Sequence, residues 1–284
     1  MKDAILASSE RLRDMATTSG SAGALKSWKR RARLEFIGRF GAIPSPKAWV
    51  FVAACPDSGT KLLRALLGSH PQIGVMRSEG QFLTDQLVLS ADLRIPRLFA
   101  SRPDIFRMLE EDGKDIDVPR LKRHWRQAYD DPSLPVLLED SPPNAARCRW
   151  LQEHFQPASF IHLIRNGYAV AEGIHRHTGQ PLELAASQWL SSNTFVLDDL
   201  EHLERAITVK YEDLCSDPDE TCRRILCFLD LPDEGFSVAG REWPVHGLTG
   251  PVRNMNPTSL ARLSAEEKAR IRSIAFPLMH RFGY

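Results

Sequence analysis

Trp49-Val-Phe-Val-Ala-Ala-Cys55-Pro-Asp-Ser-Gly-Thr-Lys61-Leu-Leu-Arg-Ala-Leu-Leu67 is the stretch on which the reading of this chain turns. It opens with a continuous apolar run, the pattern of a strand buried on both faces. It closes with Leu62, Leu63, Leu66 and Leu67, which suit a buried helix. A short turn with one glycine joins the two. Strand, glycine-containing turn and helix form the layout in which backbone N–H groups converge on an anion. In that turn Gly59 lets the backbone approach closely, Ser58 and Thr60 add hydroxyl donors, and Lys61 adds a positive charge.

Three more apolar or β-branched runs follow, Val136 to Leu138, Phe160 to Ile164 and Ile207 to Val209, with longer helical patterns between them. Strands alternating with helices predict an α/β fold with a central parallel sheet flanked by helices. Leu182 to Leu203 and Ser264 to His280 read as helices, the second opened by the capping box Ser264-Ala-Glu-Glu267. Upstream, Ile43-Pro-Ser-Pro-Lys47 breaks the pattern. The chain divides there into an amino-terminal arm, residues 1–45, partly helical and basic, and an α/β domain, residues 46–284. From Lys26 to Phe40 the arm is basic with apolar residues at near-helical spacing, either a solvated helix packed on the domain edge or a partner surface.

With 284 residues, 43% of them apolar, the chain can bury a large core without disulfide or metal staples. A net charge of +1 supplies no general field for nucleic acid, so none is expected as the main partner. The five cysteines, Cys55, Cys148, Cys215, Cys222 and Cys227, are odd in number and lack zinc-type spacing, which points to a reduced, cytoplasmic compartment. No stretch approaches the ~20 apolar residues of a membrane span. The start of the chain lacks the apolar core of a secretory signal.

Pro56-x-Ser-Gly-Thr-x-Leu-Leu-Arg64, with His70-Pro71 further on, resembles the 5′-phosphosulfate loop of the PAPS-dependent sulfotransferases, in their bacterial and Golgi-type branch. Phe160-Ile-His-Leu-Ile-Arg165-Asn-Gly-Tyr-Ala-Val170 is similar to that family's 3′-phosphate segment. Val209-Lys-Tyr-Glu-Asp-Leu214, Asp217-Pro218 and Phe228-Leu-Asp-Leu-Pro232 resemble its later strand-loop-helix, and Gly250-Pro-Val-Arg253-Asn254 its closing loop. The resemblance runs from about residue 48 to residue 284. It implies a P-loop-type fold, PAPS as sulfuryl donor with PAP as product, no required metal, and a small-molecule, glycan or peptide acceptor. It assigns the donor to Ser58, Gly59, Thr60, Lys61 and Leu62 at one end, and to Arg165, Gly173, Arg253 and Asn254 at the other. The scheme is physically coherent, because PAPS carries anionic groups at two ends of one adenosine and so needs two cationic sites.

Three positions depart from the family pattern. Asp57 stands where the family carries a lysine or arginine that neutralises the leaving phosphate. An aspartate beside a polyanion adds repulsion unless it turns away, is protonated or holds a cation. Asp140, in Leu137-Leu-Glu-Asp-Ser-Pro-Pro-Asn144, replaces a family lysine, and Gly173 replaces a serine that binds the 3′-phosphate. Three consequences stay open: Asp57 and Asp140 recruit a divalent cation or a substrate ammonium, transfer is lost and binding kept, or bases such as Lys61 and Arg77 compensate.

Sulfuryl transfer needs a base near the acceptor proton and cations near the leaving oxygen. Glu79, in Arg77-Ser-Glu-Gly-Gln-Phe-Leu-Thr84, is the first choice for that base, similar in position to the catalytic glutamate of the tyrosylprotein sulfotransferases, with Gly80 beside it to admit substrate. Lys61, Asp57 and Asp140 complete the catalytic candidates. His175 and His177 follow the 3′-phosphate segment, His162 lies in a buried strand, and Trp150 and Trp189 read as core. Two rival classes remain. Gly59-Thr-Lys61 and Leu137-Leu-Glu-Asp140 imitate a P-loop magnesium-nucleotide phosphotransferase, although no glycine precedes Gly59 at Walker spacing. A non-catalytic nucleotide-binding protein on the same fold is the other. Acceptor identity and oligomeric state are not legible in these residues.

Overall fold

The computed structural model describes residues 21–245 and 248–284. The first part of the amino-terminal arm therefore lies outside the described residues. Five strands, β1 (Ala48–Ala54), β2 (Ile73–Val75), β3 (Val136–Glu139), β4 (Ala158–Ile164) and β5 (Ala206–Lys210), form one parallel sheet in the order β2-β3-β1-β4-β5. The expected α/β fold with a central parallel sheet is the one observed. The helices used below are α1 (Ser21–Phe40), α2 (Thr60–Leu67), α3 (Val118–Arg126), α4 (Gly167–Thr178), α5 (Leu182–Leu200) and α6 (Ala265–Arg281).

β1 is continuous apolar because both of its faces are covered. Side chains alternate across a strand, so Trp49, Phe51 and Ala53 enter one core and Val50, Val52 and Ala54 the other. On the first face Phe51 meets Phe155 edge-on at 5.5 Å and stacks on Phe160 at 5.6 Å. On the second, Leu62, Leu63, Leu66 and Leu67 of α2 cover Val50 and Val52. Trp189 on α5 fills a third cluster with Ile174, Ile271 and Met279, while Trp150 is buried in the first, as both were expected to be.

Two element readings need adjustment. The sequence suggested four strands, and β2 is a fifth. Only three residues long with Gly74 at its centre, it carries no signal of its own and exists because the outer edge of β3 pairs Ile73, Gly74 and Val75 with Val136, Leu137 and Leu138. The helix expected over 182–203 ends at Leu200. The capping box of α6 forms as read, with Ser264 and Glu267 exchanging bonds to each other's backbone.

α1 lies on α3. Its Leu34 carbonyl is 2.8 Å from His124 Nε2, and Arg123 donates to the carbonyls of Gly38 and Gly41. No helix among the described residues is long and apolar enough to cross a membrane.

β1 has later strands on both sides, so the winding of the chain reverses there. The crevice beyond the carboxyl ends of β1, β3, β4 and β5 is the ligand position of such a sheet. The same strands carry Asp140 after β3, Arg165 after β4 and Tyr211 after β5.

His162 inside β4 is fully buried and bonds Asn193 Oδ1 at 3.0 Å, and burial pulls its pKa down from 6.5 to about 4. Because the folded state resists protonation there, this contribution to stability is whole above about pH 6.5 and is lost as pH falls towards 4. Urea unfolding is expected to show a loss of about 2 kcal/mol between pH 8 and pH 5 that is absent in His162→Gln.

Candidate active site

The β1–α2 turn is held by a bond from Ser58 N–H to the Cys55 carbonyl, 3.3 Å, and the first helical bond runs from Leu63 N–H to the Gly59 carbonyl, 3.1 Å. Gly59 caps α2 at φ 98° and offers no side-chain cap. A helix that opens this way keeps first-turn N–H groups and the positive end of its dipole for an anion. Ser58 Oγ is buried in the same turn and has no hydrogen-bond partner. An orphaned hydroxyl beside an uncapped helix start is what a phosphate or sulfate group would complete. The residues therefore fit the phosphosulfate end of PAPS.

Gly59 is required twice over. Its φ belongs to the left-handed region, and a Cβ there would lie 2.5 Å from Tyr211 Cδ2. Tyr211, the first residue after β5, also carries the Arg165 guanidinium 4.3 Å from its ring centroid. Its hydroxyl donates to the Arg253 carbonyl and accepts from Met255 N–H, both at 3.1 Å. Burial holds that phenol at a pKa of about 12, so it stays protonated and donating. One tyrosine thus joins the β1 turn, the β4 arginine and the loop around residue 253.

Arg165 ends β4 as expected, 8% exposed. Its Nη1 donates to the Asp57 carbonyl at 2.8 Å and its Nε to Asn256 Oδ1 at 2.8 Å. Asn256 Nδ2 in turn donates to Glu212 Oε1, which also accepts from Asn166 N–H. The side chain that reaches Arg165 is Asn256, two residues beyond the cofactor candidate Asn254. Asn254 is exposed and uses its Oδ1 to accept from Asn256 N–H at 2.9 Å. The Arg253 side chain is exposed, and its carbonyl serves Tyr211.

Asp57 is tied to two basic side chains. Its carboxylate accepts from Arg97 Nη1 at 2.5 Å and lies 3.2 Å from His177 Nδ1, with its side chain 7% exposed. Gly173 makes the room: a Cβ there would stand 3.2 Å from both Cβ and Cγ of Asp57. Two of the three departures are therefore one, because the acid at 57 occupies the space over the glycine at 173.

The acids lie near one another after β2 and β3. Glu79 precedes a short 3-10 turn and accepts from Gln81 Nε2 at 2.6 Å. Burial raises its pKa; the Gln81 bond opposes this, Glu139 adds to it, and Lys61 and Arg97 pull it back. Asp140 pairs with Arg64 Nη1 at 3.2 Å, while its Oδ2 is buried without a partner. Burial, with Glu139 and Glu79 adding, pushes Asp140 up to about 7 against the pull of Arg64. Glu139 anchors the segment, accepting from Gly80 N–H at 2.8 Å, Ser141 N–H at 2.9 Å, and the side chains of Ser141 and Asn144. Gly80 was expected to admit substrate; instead the space of its missing Cβ is taken by Trp125 Nε1 and Glu139 Oε1, at 2.8 and 2.9 Å. Arg77, a candidate compensating base, is exposed and donates to the Gln127 carbonyl.

Ser58, Gly59, Thr60, Lys61 and Leu62 are thus brought to one helix start, with Glu79 and Lys61 in electrostatic contact and Arg165 behind the turn. Arg97, Tyr211, Glu212 and Asn256 were not singled out, whereas His177 was named with His175 as following the 3′-phosphate segment. Only Tyr211 and Glu212 lay within a recognisable segment, and nothing in the sequence joins residue 97 to residue 57.

A parallel sheet flanked by helices, with a glycine turn and a helix start at its switch point, defines an α/β protein of P-loop-type fold. The sulfotransferase family model matches residues 49–235, and the chain belongs to that family. Over 202 residues it is 23% identical to the protein-tyrosine sulfotransferase of Drosophila melanogaster, a match spanning 64% of this chain and 38% of that protein. The sulfotransferase domain from the Synechococcus PCC 7002 olefin synthase shares the fold at a TM-score of 0.53 and 23% identity, over 85% of this chain and 96% of that one. Sulfotransferase STF1 from Mycobacterium tuberculosis H37Rv does so at 0.53 and 14%, over 93% of each.

Gly59→Ala is expected to destabilise the protein by about 1–3 kcal/mol from backbone strain alone. Equilibrium urea unfolding measures the loss, and Tyr211→Ala in the same chain relieves only the additional overlap.

Proposed function

We propose that the chain moves the sulfuryl group of PAPS to a hydroxyl or amine of its acceptor. The observation that carries this reading is the buried, unpartnered Ser58 hydroxyl at the uncapped start of α2. Ser58, Gly59, Thr60, Lys61 and Leu62 hold the phosphosulfate end. Arg165, with Arg253 and Asn254 in the loop tied to Tyr211, holds the 3′-phosphate end, where Gly173 gives up the family's serine contact. When bound, PAPS supplies an electrophilic sulfuryl group on a phosphate leaving group.

Glu79 takes the acceptor's proton. Gln81 holds its Oε2, which fixes the carboxylate and leaves Oε1 for the acceptor. Burial raises its pKa, which makes it a stronger base than an ordinary glutamate. Lys61 supplies positive charge to the leaving oxygen and keeps Glu79 from rising further. Asp140, buried on Arg64, positions α2 from below and does not need to meet the donor. The acceptor is a small molecule, glycan or peptide, and a cytoplasmic location agrees with the five free cysteines.

Thermal-shift titration tests the donor assignment. PAP is expected to raise the unfolding midpoint without magnesium, by about 2.7 kcal/mol of stabilisation at a hundredfold excess over Kd. Stabilisation by magnesium-ATP with no response to PAP would favour a phosphotransferase and overturn the reading. PAP binding without sulfation of any hydroxyl or amine in a broad acceptor panel would make the chain a binding protein.

Glu79→Gln is expected to lower transfer by about 10²–10⁴-fold with PAP affinity within a few-fold of the parent. In the parent, activity should fall on acidification along a limb above the ordinary carboxylate range, because the raised carboxyl is protonated there and cannot accept a proton. Unchanged turnover in the variant removes Glu79 from the role.

A further inference from the structure

Two turns of the same construction face each other at the β1–α2 loop. In one, Cys55-Pro56-Asp57-Ser58, the Ser58 N–H bonds the Cys55 carbonyl and Asp57 stands at φ 62°. In the other, Ile95-Pro96-Arg97-Leu98, the Leu98 N–H bonds the Ile95 carbonyl at 2.9 Å and Arg97 stands at φ 64°. Proline followed by a residue at positive φ is a turn in which glycine or asparagine is usual at the third position. Here the third positions hold an acid and a base, and those two side chains make the 2.5 Å ion pair. Strained backbone kept at both partners of one contact marks a position where the side chains matter more than the local cost.

Leu98 and Phe99 behind the second turn are both 1% exposed, so the turn is rooted in the core. Arg97 itself is 36% exposed, against 7% for Asp57. Its Nη1 is used by Asp57, and among the described residues no bond is made by its Nε or Nη2, which leaves part of a five-donor guanidinium for something else. The charge of Arg97 is also felt at Glu79, as is that of Lys61. Through Asp57 it is tied to the turn that leads into the α2 helix start.

We propose that Arg97 is the cation of the phosphosulfate cradle, carried on a separate turn, held in place by Asp57, and in contact with the donor's 5′-phosphate. This rests on the donor reading above. A lysine or arginine at residue 57 would place one charge on the loop; this chain instead places a carboxylate there as a holder and brings the guanidinium to it. The Asp57 and Arg97 charges cancel, and Lys61 keeps the cradle positive. Gly173 and His177 complete the holder by giving the Asp57 carboxylate its space and its second partner.

Isothermal titration with PAP tests this, with unliganded thermal unfolding as the check that each variant folds. The parent must bind PAP; if it does not, the donor reading and this inference fall together. Arg97→Ala is expected to weaken PAP at least about tenfold, the loss of a charged hydrogen bond, and Arg97→Lys to recover part of it. The decisive variant is Asp57→Ala with Arg97→Ala. If Arg97 only neutralises Asp57, removing both returns the parent affinity, and that result overturns the proposal. If Arg97 meets the phosphate, the double variant stays weak, and Asp57→Lys with Arg97→Ala regains affinity by restoring a cation on the loop. Unchanged PAP affinity in Arg97→Ala, with PAP bound by the parent, also overturns it.

Discussion

The ring of Tyr211 fills the space that a side chain at residue 59 would need and carries the guanidinium of Arg165 above it. The contact links the ends of three strands, because Gly59 follows β1, Arg165 closes β4 and Tyr211 follows β5. A residue larger than glycine at 59 would push the ring outward and take Arg165 with it. The anion cradle at α2 and the arginine at its back are therefore one assembly, set by the spacing of neighbouring strands in a parallel sheet. Tyr211 adds the loop at 253–255 through its hydroxyl, so that loop hangs on the same ring.

Charge is distributed around this assembly by pairing. Asp57, Asp140 and Glu79 would together repel a polyanion, yet each has a distinct setting. Asp57 is spent on Arg97 and His177, and Asp140 on Arg64. Asp140 keeps Oδ2 buried without a partner, and Glu79, bonded at Oε2 to Gln81, lies within the fields of Lys61 and Arg97. In a low-dielectric cleft a paired acid adds little net repulsion, whereas an unpaired one is costly unless it titrates. The acids that looked incompatible with a phosphosulfate site are thus of two kinds, holders of cations and one candidate base.

Family membership fixes the fold and the class of chemistry to be tested, and the departures define what is particular to this chain. Asp57 and Gly173 are substitutions at positions far apart in sequence that occupy one volume. A serine at 173 would crowd the Asp57 side chain, and a long cation at 57 would lose the reason for Arg97 to sit where it does. The two positions are best understood as a single exchange with Arg97 as its third member.

The amino-acid sequence by itself determined the sheet, four of its strands, the strand-turn-helix at α2, the capping box of α6 and the place of Arg165 at the end of β4. Each of these rests on local chemistry: apolar runs, a turn glycine, leucines on one helix face, a residue at a strand end. What only the tertiary structure decided was where the charges point. β2 appeared because β3 had an edge to offer, and the loop's path, not its composition, set Asn256 as the amide that meets Arg165. The partnership of Asp57 with Arg97, His177 and Gly173 spans more than a hundred residues and has no local signature. Periodicity reports which face of an element is buried, whereas the partner of a charged side chain is fixed only when separate elements are packed.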